Sequence, residues 1–187
     1  SRDGENWDRL PTRDLFLGLG TQHGQGADFD SGMVLANTPV LVGDELRFYY
    51  SGYKSTHTEF ANTYAIGLAV AKLDRLIGRT TPPGETGLLV TRPLRWEGEM
   101  LEINASSVNG VVAVEVLAED GAVIAGYERT SSVPFSGDSL RQEMQWRDGR
   151  DMSVLCGRRI RLKFYLSNAV LYSFSAKSAA LERAESS

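Results

Sequence analysis

The chain has 187 residues, 42% of them hydrophobic and 24% charged, which excludes a disordered chain and allows one ordinary domain or two small ones. A formal charge of −4 argues against the concentrated basic surface that phosphate binding needs, so nucleic acid is not an expected partner. No run of about 18 apolar residues occurs, so no helix is expected to span a membrane and no membrane partner is expected.

The first stretch, S-R-D-G-E-N-W, sets a tight turn at Asp3-Gly4 and an aromatic anchor at Trp7. Such a turn needs a strand on its N-terminal side, so the expectation is a chain cut from something longer. The Gly-rich segment T-Q-H-G-Q-G-A-D-F-D-S-G (21–32) reads as a polar loop. Next comes P-V-L-V-G-D-E-L-R-F-Y-Y-S-G-Y, a pair of strands about a turn at Gly43-Asp44. S-G-Y-K-S-T-H-T-E-F (51–60) then forms a loop holding Tyr53, His57 and Glu59. Helical character is confined to L-A-V-A-K-L-D-R-L (68–76) and the tail S-A-A-L-E-R-A. The segment R-T-T-P-P-G-E-T-G (79–87) has two prolines and two glycines and suits an exposed connection.

Beyond that connection, turn dipeptides recur at Glu97-Gly98, Asn109-Gly110, Asp120-Gly121 and Asp148-Gly149, and each reads as a hairpin signal. Gly98 to Gly110 is 12 positions and Gly110 to Gly121 is 11, the spacing of short antiparallel strands. Ile160, Leu162, Phe164 and Leu166 share one face, with Arg161 and Lys163 on the other; Val112, Val114 and Val116 repeat the pattern, with Glu115 pointing away. The predicted fold class is all-β. It has a first unit at 1–80, a second at 88–175 and a flexible tail at 176–187. The first unit, with about four strands, is too small to close a core by itself.

Several residues have a structural reading. Cys156, the single cysteine, permits no internal disulfide and in V-L-C-G reads as a small buried hydrophobe. Trp96 and Trp146 read as buried strand residues, L-Y-S-F near Tyr172 as core, and Arg158, Arg159, Arg161 and Lys163 as a solvated strand face. Asp28 and Asp30 either cap turns through loop amides or line a pocket. Two positions apart on one strand, they point the same way and do not form a catalytic pair. Tyr53 and His57 combine an aromatic face with hydrogen-bonding groups, a mixture that suits a sugar, against the alternative of a solvated hairpin loop. His23, His57 and a carboxylate match no metal-ligand spacing, and no G-x-S-x-G elbow occurs. Neither a metal nor a cofactor is expected.

S-R-D-G-E-N-W, D-F-D-S-G-M-V, L-R-F-Y-Y-S-G-Y and A-I-G-L-A-V, in that order, resemble the last blade of a five-bladed β-propeller glycoside hydrolase of the invertase and fructosidase family, family 32, related to families 43 and 68. The stretch from G-L-L-V-T-R-P-L-R-W to L-K-F-Y-L-S-N-A-V-L-Y-S-F resembles the C-terminal β-sandwich of such enzymes. The resemblance implies a partial β-propeller (its last blade) followed by an antiparallel β-sandwich, and a carbohydrate as substrate. It also implies an upstream propeller domain of the same protein as partner. The family's nucleophile, acid and supporting aspartate come from earlier blades, so no catalytic residue is expected in this chain. A D-x-G stretch of the last blade lies near the family's sugar site, which implies Asp30, and with it Asp28, as pocket-wall residues; D-S-G-M-V departs from the fructosidase pattern, so fructose is not implied. The alternative is a stand-alone carbohydrate-binding β-sandwich module without catalysis. A polysaccharide-acting enzyme implies an extracellular or periplasmic location, and the chain itself carries no signal that fixes one.

Overall fold

The computed structural model describes residues 5–8, 15–21, 28–57 and 63–178. In chain order the strands are β1 (Met33–Ala36), β2 (Val40–Val42), β3 (Glu45–Tyr53), β4 (Tyr64–Lys72), β5 (Arg79–Thr80), β6 (Thr86–Val90), β7 (Leu94–Arg95), β8 (Met100–Ser106), β9 (Val111–Ala118), β10 (Asp138–Met144), β11 (Arg159–Ser167) and β12 (Val170–Lys177). Among the described residues there is no α-helix, only short 3-10 turns at Arg147–Gly149 and Ser153–Leu155. The all-β class is therefore what the chain adopts, built from antiparallel sheets. The chain divides into two compact units, Ser1–Ala71 and Lys72–Ser187, a division that falls before the Pro/Gly segment at 79–87. The tail beyond Ser178, with its S-A-A-L-E-R-A run, lies outside the described residues.

The first unit is built around β3. The Gly43-Asp44 turn, with Gly43 at φ 58°, joins β2 to β3, and the register pairs Val42 with Glu45. Strands β1 and β2 lie end to end along one edge of β3, Met33 opposite Tyr53 and Val40 opposite Arg47, while β4 takes the other edge. The expected helical stretch at 68–76 is instead the end of β4 and the turn after it. Small residues Ala65, Gly67, Ala69 and Ala71 alternate with Tyr64, Ile66, Leu68 and Val70, a strict period of 2 that only a strand sorts onto two faces. The strand ends where Asp74 takes a left-handed φ of 58°.

Both faces of this sheet are apolar, and they differ in cover. Phe48, Tyr50 and Gly52 face residues 15–21 and 28–32, where the Phe16 ring meets Phe48 edge-on at 5.2 Å and Phe29 stacks on Tyr50 at 6.1 Å. Gly67 belongs to this side, because a Cβ there would lie 2.3 Å from the Tyr50 ring. The other face carries Tyr64, Ile66, Leu68 and Val70 from β4 together with Leu35, Val40, Val42 and Tyr49, all exposed, Ile66 to 75%. Eight such side chains, each 41–75% exposed on one sheet face, form a contiguous apolar patch of the kind that marks a surface packed against something else.

The second unit holds two four-stranded antiparallel sheets, one ordered β10-β8-β12-β5, the other with β11 between β9 and the β6 and β7 pair. Strands β6 and β7 are one edge strand interrupted near Pro93: Leu88 pairs with Tyr165 and Leu94 with Ile160, both along the same edge of β11. Proline has no N–H to give a ladder, so an edge is where it is tolerated. The inward faces of the two sheets share a single core: Leu101, Ile103 and Met144 from one, Val112, Val114, Val116, Ile160, Leu162 and Phe164 from the other, closed by Trp96, Trp146, Tyr127 and Leu155. The alternation at 112–116 and 160–166 thus sorts as the sequence implies, and both tryptophans are buried.

Three local readings need correction. The Gly98 and Gly110 turns do not close hairpins: β7 belongs to the β11 sheet and β8 to the other, and β9 returns to the β11 sheet, so both turns carry the chain across the core. Tight-turn residues mark a reversal and do not specify which strand the returning chain meets. Cys156 is exposed, not buried. Leu155 ends the 3-10 turn pointing inward, and Cys156, whose N–H donates to the Ser153 carbonyl, is carried outward. Of L-Y-S-F, Leu171 is core and the Phe174 ring meets core Phe164 at 5.4 Å while 36% exposed, whereas Tyr172 lies under the Arg75 guanidinium.

Candidate functional site

The candidate residues Asp28, Asp30, Tyr53 and His57 all belong to the first unit, around the N-terminal loop and β3. The loop is drawn onto the sheet by close backbone approach. A Cβ on Gly52 would lie 2.5 Å from Asp30 Cβ and 2.6 Å from the Phe29 ring, and one on Gly20 would lie 2.2 Å from Asp30 Oδ1. Glycine at both positions is what lets Asp30 sit between them. Asp30 is 8% exposed, and its Oδ2 accepts a 2.8 Å hydrogen bond from the Tyr50 hydroxyl. That bond holds the phenol's proton, so Asp30, followed by burial, raises the Tyr50 pKa above its ordinary value.

Asp28 is exposed and closes the base of the loop. Its Oδ2 accepts from the Thr21 N–H at 2.8 Å, and its own N–H donates to the Thr21 carbonyl at 3.2 Å. The Thr21 N–H, and after it the Thr21 hydroxyl, hold the Asp28 carboxyl below the ordinary carboxylate range. This is the turn-capping geometry weighed for Asp28 in the sequence. The two carboxylates share one loop with different surroundings, one in solvent and one buried against a phenol.

Tyr53 is on the opposite face of β3 from Tyr50 and Gly52, hence away from Asp30; its ring meets Tyr64 at 5.9 Å. His57 is exposed in the turn after β3. The structure thus brings Asp28 and Asp30 together on one loop and sets Tyr53 on the other face of the sheet. His23 and Glu59 lie outside the described residues, and among those described no cluster of three or more His, Cys, Asp or Glu side chains has the arrangement of a metal site.

Two polar clusters in the second unit went unmarked in the sequence. Arg75, in the turn after β4, donates Nε to Asn104 Oδ1 at 2.8 Å and Nη2 to the Ser139 carbonyl at 3.0 Å, and its Nη1 pairs with Asp138 at 2.5 Å. The ladders of β8 with both its neighbours shift register beside it, between Ser139 and Gln142 and between Leu171 and Ser173. The guanidinium supplies donors to the Ala105 and Ser139 carbonyls there. On the outer face of the β11 sheet, Glu115 is buried to 7% exposure, accepts from the Tyr165 hydroxyl, and pairs with Lys163 at 3.4 Å. Tyr165, then Glu115, raise the Lys163 pKa, and Arg129 lies 4.3 Å over the Tyr165 ring. The register Lys163 opposite Glu115 was the available signal, but it needs the pairing of β9 with β11 to be known first.

Compared with family models, curated proteins and solved structures, the chain has no match.

Proposed function

We propose that this chain is the C-terminal portion of a carbohydrate-active glycoside hydrolase, its first unit the last blade of a β-propeller and its second a β-sandwich that buttresses it, with the catalytic carboxylates upstream. The observation that carries this reading is the first sheet. It is apolar on both faces, one covered by Phe16, Phe29 and their neighbours and the other bare over Tyr64, Ile66, Leu68, Val70 and their neighbours. A sheet with apolar residues on both sides is a layer in a stack, which is what a propeller blade is. The second unit, with its own closed core, needs no such cover. The buried positions of Trp96 and Trp146 argue against a tryptophan platform for glycan stacking on the second unit.

Glycosidic hydrolysis takes two carboxyl groups placed across the scissile bond. Asp28 and Asp30, held by Thr21 and by Tyr50, have turn-holding and loop-holding partners, so the reading assigns them to the pocket wall and leaves catalysis to the upstream blades. The intact mass of the protein in its native source is the test. A mass well above the 20.5 kDa of this chain, with glycosidase activity in the long form and none in these residues alone, is the expected result. A native mass of 20.5 kDa would overturn it.

A further inference from the structure

The outward face of the β10-β8-β12-β5 sheet carries a groove of about 260 Å³, lined by Asp74, Glu102, Arg141, Ser173, Ser175 and Lys177. The registers explain why these residues meet. Ser173 lies opposite Asn104 and Ser175 opposite Glu102, so hydroxyl and carboxylate alternate along the floor between β8 and β12. The register shift between Leu171 and Ser173 turns this polar set outward while Leu171 stays in the core. Asn104 is a fixed base to the floor, its amide donating to the Leu73 carbonyl at 2.8 Å and its oxygen accepting from Arg75.

The chemistry of the lining restricts what fits. Two carboxylates, Asp74 and Glu102, face two cations, Arg141 and Lys177, so the groove carries no net charge to reward an ionic ligand. What it offers is a dense set of mixed donors and acceptors. Glu102 is only loosely engaged, 3.7 Å from Lys177, and Ser173 donates to Asp74 at a long 3.5 Å. Leu73 and Leu140, both half-buried, add apolar lining to the same groove, while Phe174, opposite Ile103, turns to the other face of the sheet. A volume of this size suits one small ligand and not an extended chain. Carboxylates that accept from adjacent hydroxyls, serines and cations that donate back, and leucine side chains for the C–H face together describe a neutral polyhydroxylated ligand.

We propose that this groove binds a neutral sugar residue. The site lies wholly in the second unit and does not depend on upstream catalytic residues, so it goes beyond the glycosidase reading, and either stands if the other fails. The test is an amide-resolved NMR titration of the full 187-residue chain with glucose, galactose and fructose, and with glycine betaine as a zwitterionic control. Saturable shifts at Glu102, Asn104, Ser173 and Ser175 are expected with at least one sugar. Glu102→Gln is expected to weaken that binding about tenfold, the loss of one charge-assisted hydrogen bond, and Ser175→Ala by a smaller factor. Glu102 and Ser175 lie on the outward face, so both variants keep the core, and the dispersion of the spectrum reports that directly. No saturable shift with any sugar, equal affinity in both folded variants, or a response to glycine betaine alone would overturn the proposal.

Discussion

Asp30 and Tyr50 show how a single polar pair organises the first unit. The N-terminal loop has little apolar material to hold it to β3 beyond Phe16 and Phe29, so a bond between a buried carboxylate and a phenol fixes its position. Because Asp30 raises the Tyr50 pKa, the neutral phenol is the form the fold favours. The stability this contributes is fully present below the ordinary tyrosine pKa of about 10 and is lost as pH rises through the higher folded value. Absorbance titration of the tyrosines is therefore expected to show late ionisation from Tyr50 and from Tyr127, which burial raises, and the Tyr50 component alone is lost in Tyr50→Phe and moves down in Asp30→Asn. If Asp30→Asn leaves it in place, the bond is not its cause. Residue types alone marked Asp30, through the Gly-rich loop around it. Its partner was not legible, because Tyr50 is 20 positions away in sequence and comes beside it only when the loop folds back over β3.

At the scale of the element, β4 matters most. Its period-2 pattern was legible in principle, yet the run of Leu, Ala and Lys at 68–76 reads equally as helix, and hydrogen bonding to β3 decides the matter. What the pattern could not tell is that the large residues would face outward. The register of the hairpin puts Tyr64 beside Tyr53 and Gly67 against Tyr50, which settles the face of every residue between. Leu68 is 49% exposed, so Leu68→Lys is expected to change the unfolding free energy of this chain by less than about 0.5 kcal/mol. The same change should sharply lower any self-association seen by gel filtration, since it puts a charge in the middle of the bare face. Urea unfolding and the elution volume read the two effects separately. A loss well above 1 kcal/mol would mean that Leu68 is covered in solution.

Across the whole molecule, burial is unequal. Among the described residues the buried hydrophobics of the first unit are Phe48 and Tyr50, whereas those of the second run from Trp96 to Leu171 and, apart from Ala113 and Leu117, form one cluster. A fragment spanning residues 72–178 is accordingly expected to fold alone, with a single cooperative thermal transition and near-ultraviolet dichroism from Trp96 and Trp146. A fragment without a cooperative transition would show that the second unit depends on the first.

The all-β class, the reversals at Gly43-Asp44 and Asp120-Gly121, the inward faces of 112–116 and 160–166, and the burial of Trp96 and Trp146 were legible in the sequence, whereas Trp7, expected as a packing anchor, is exposed. Each legible feature follows from short-range physics: alternation, turn conformation, and the area a large side chain removes from water. Only the tertiary structure decided that Gly98 and Gly110 lead the chain between sheets, and that Arg75 fills the gap where β8 parts from its neighbours. Glu102 and Ser175 likewise share one floor only there, and Cys156 points outward. These depend on which strand pairs with which over long separations, and a local pattern carries the shape of a strand but not the address of its partner.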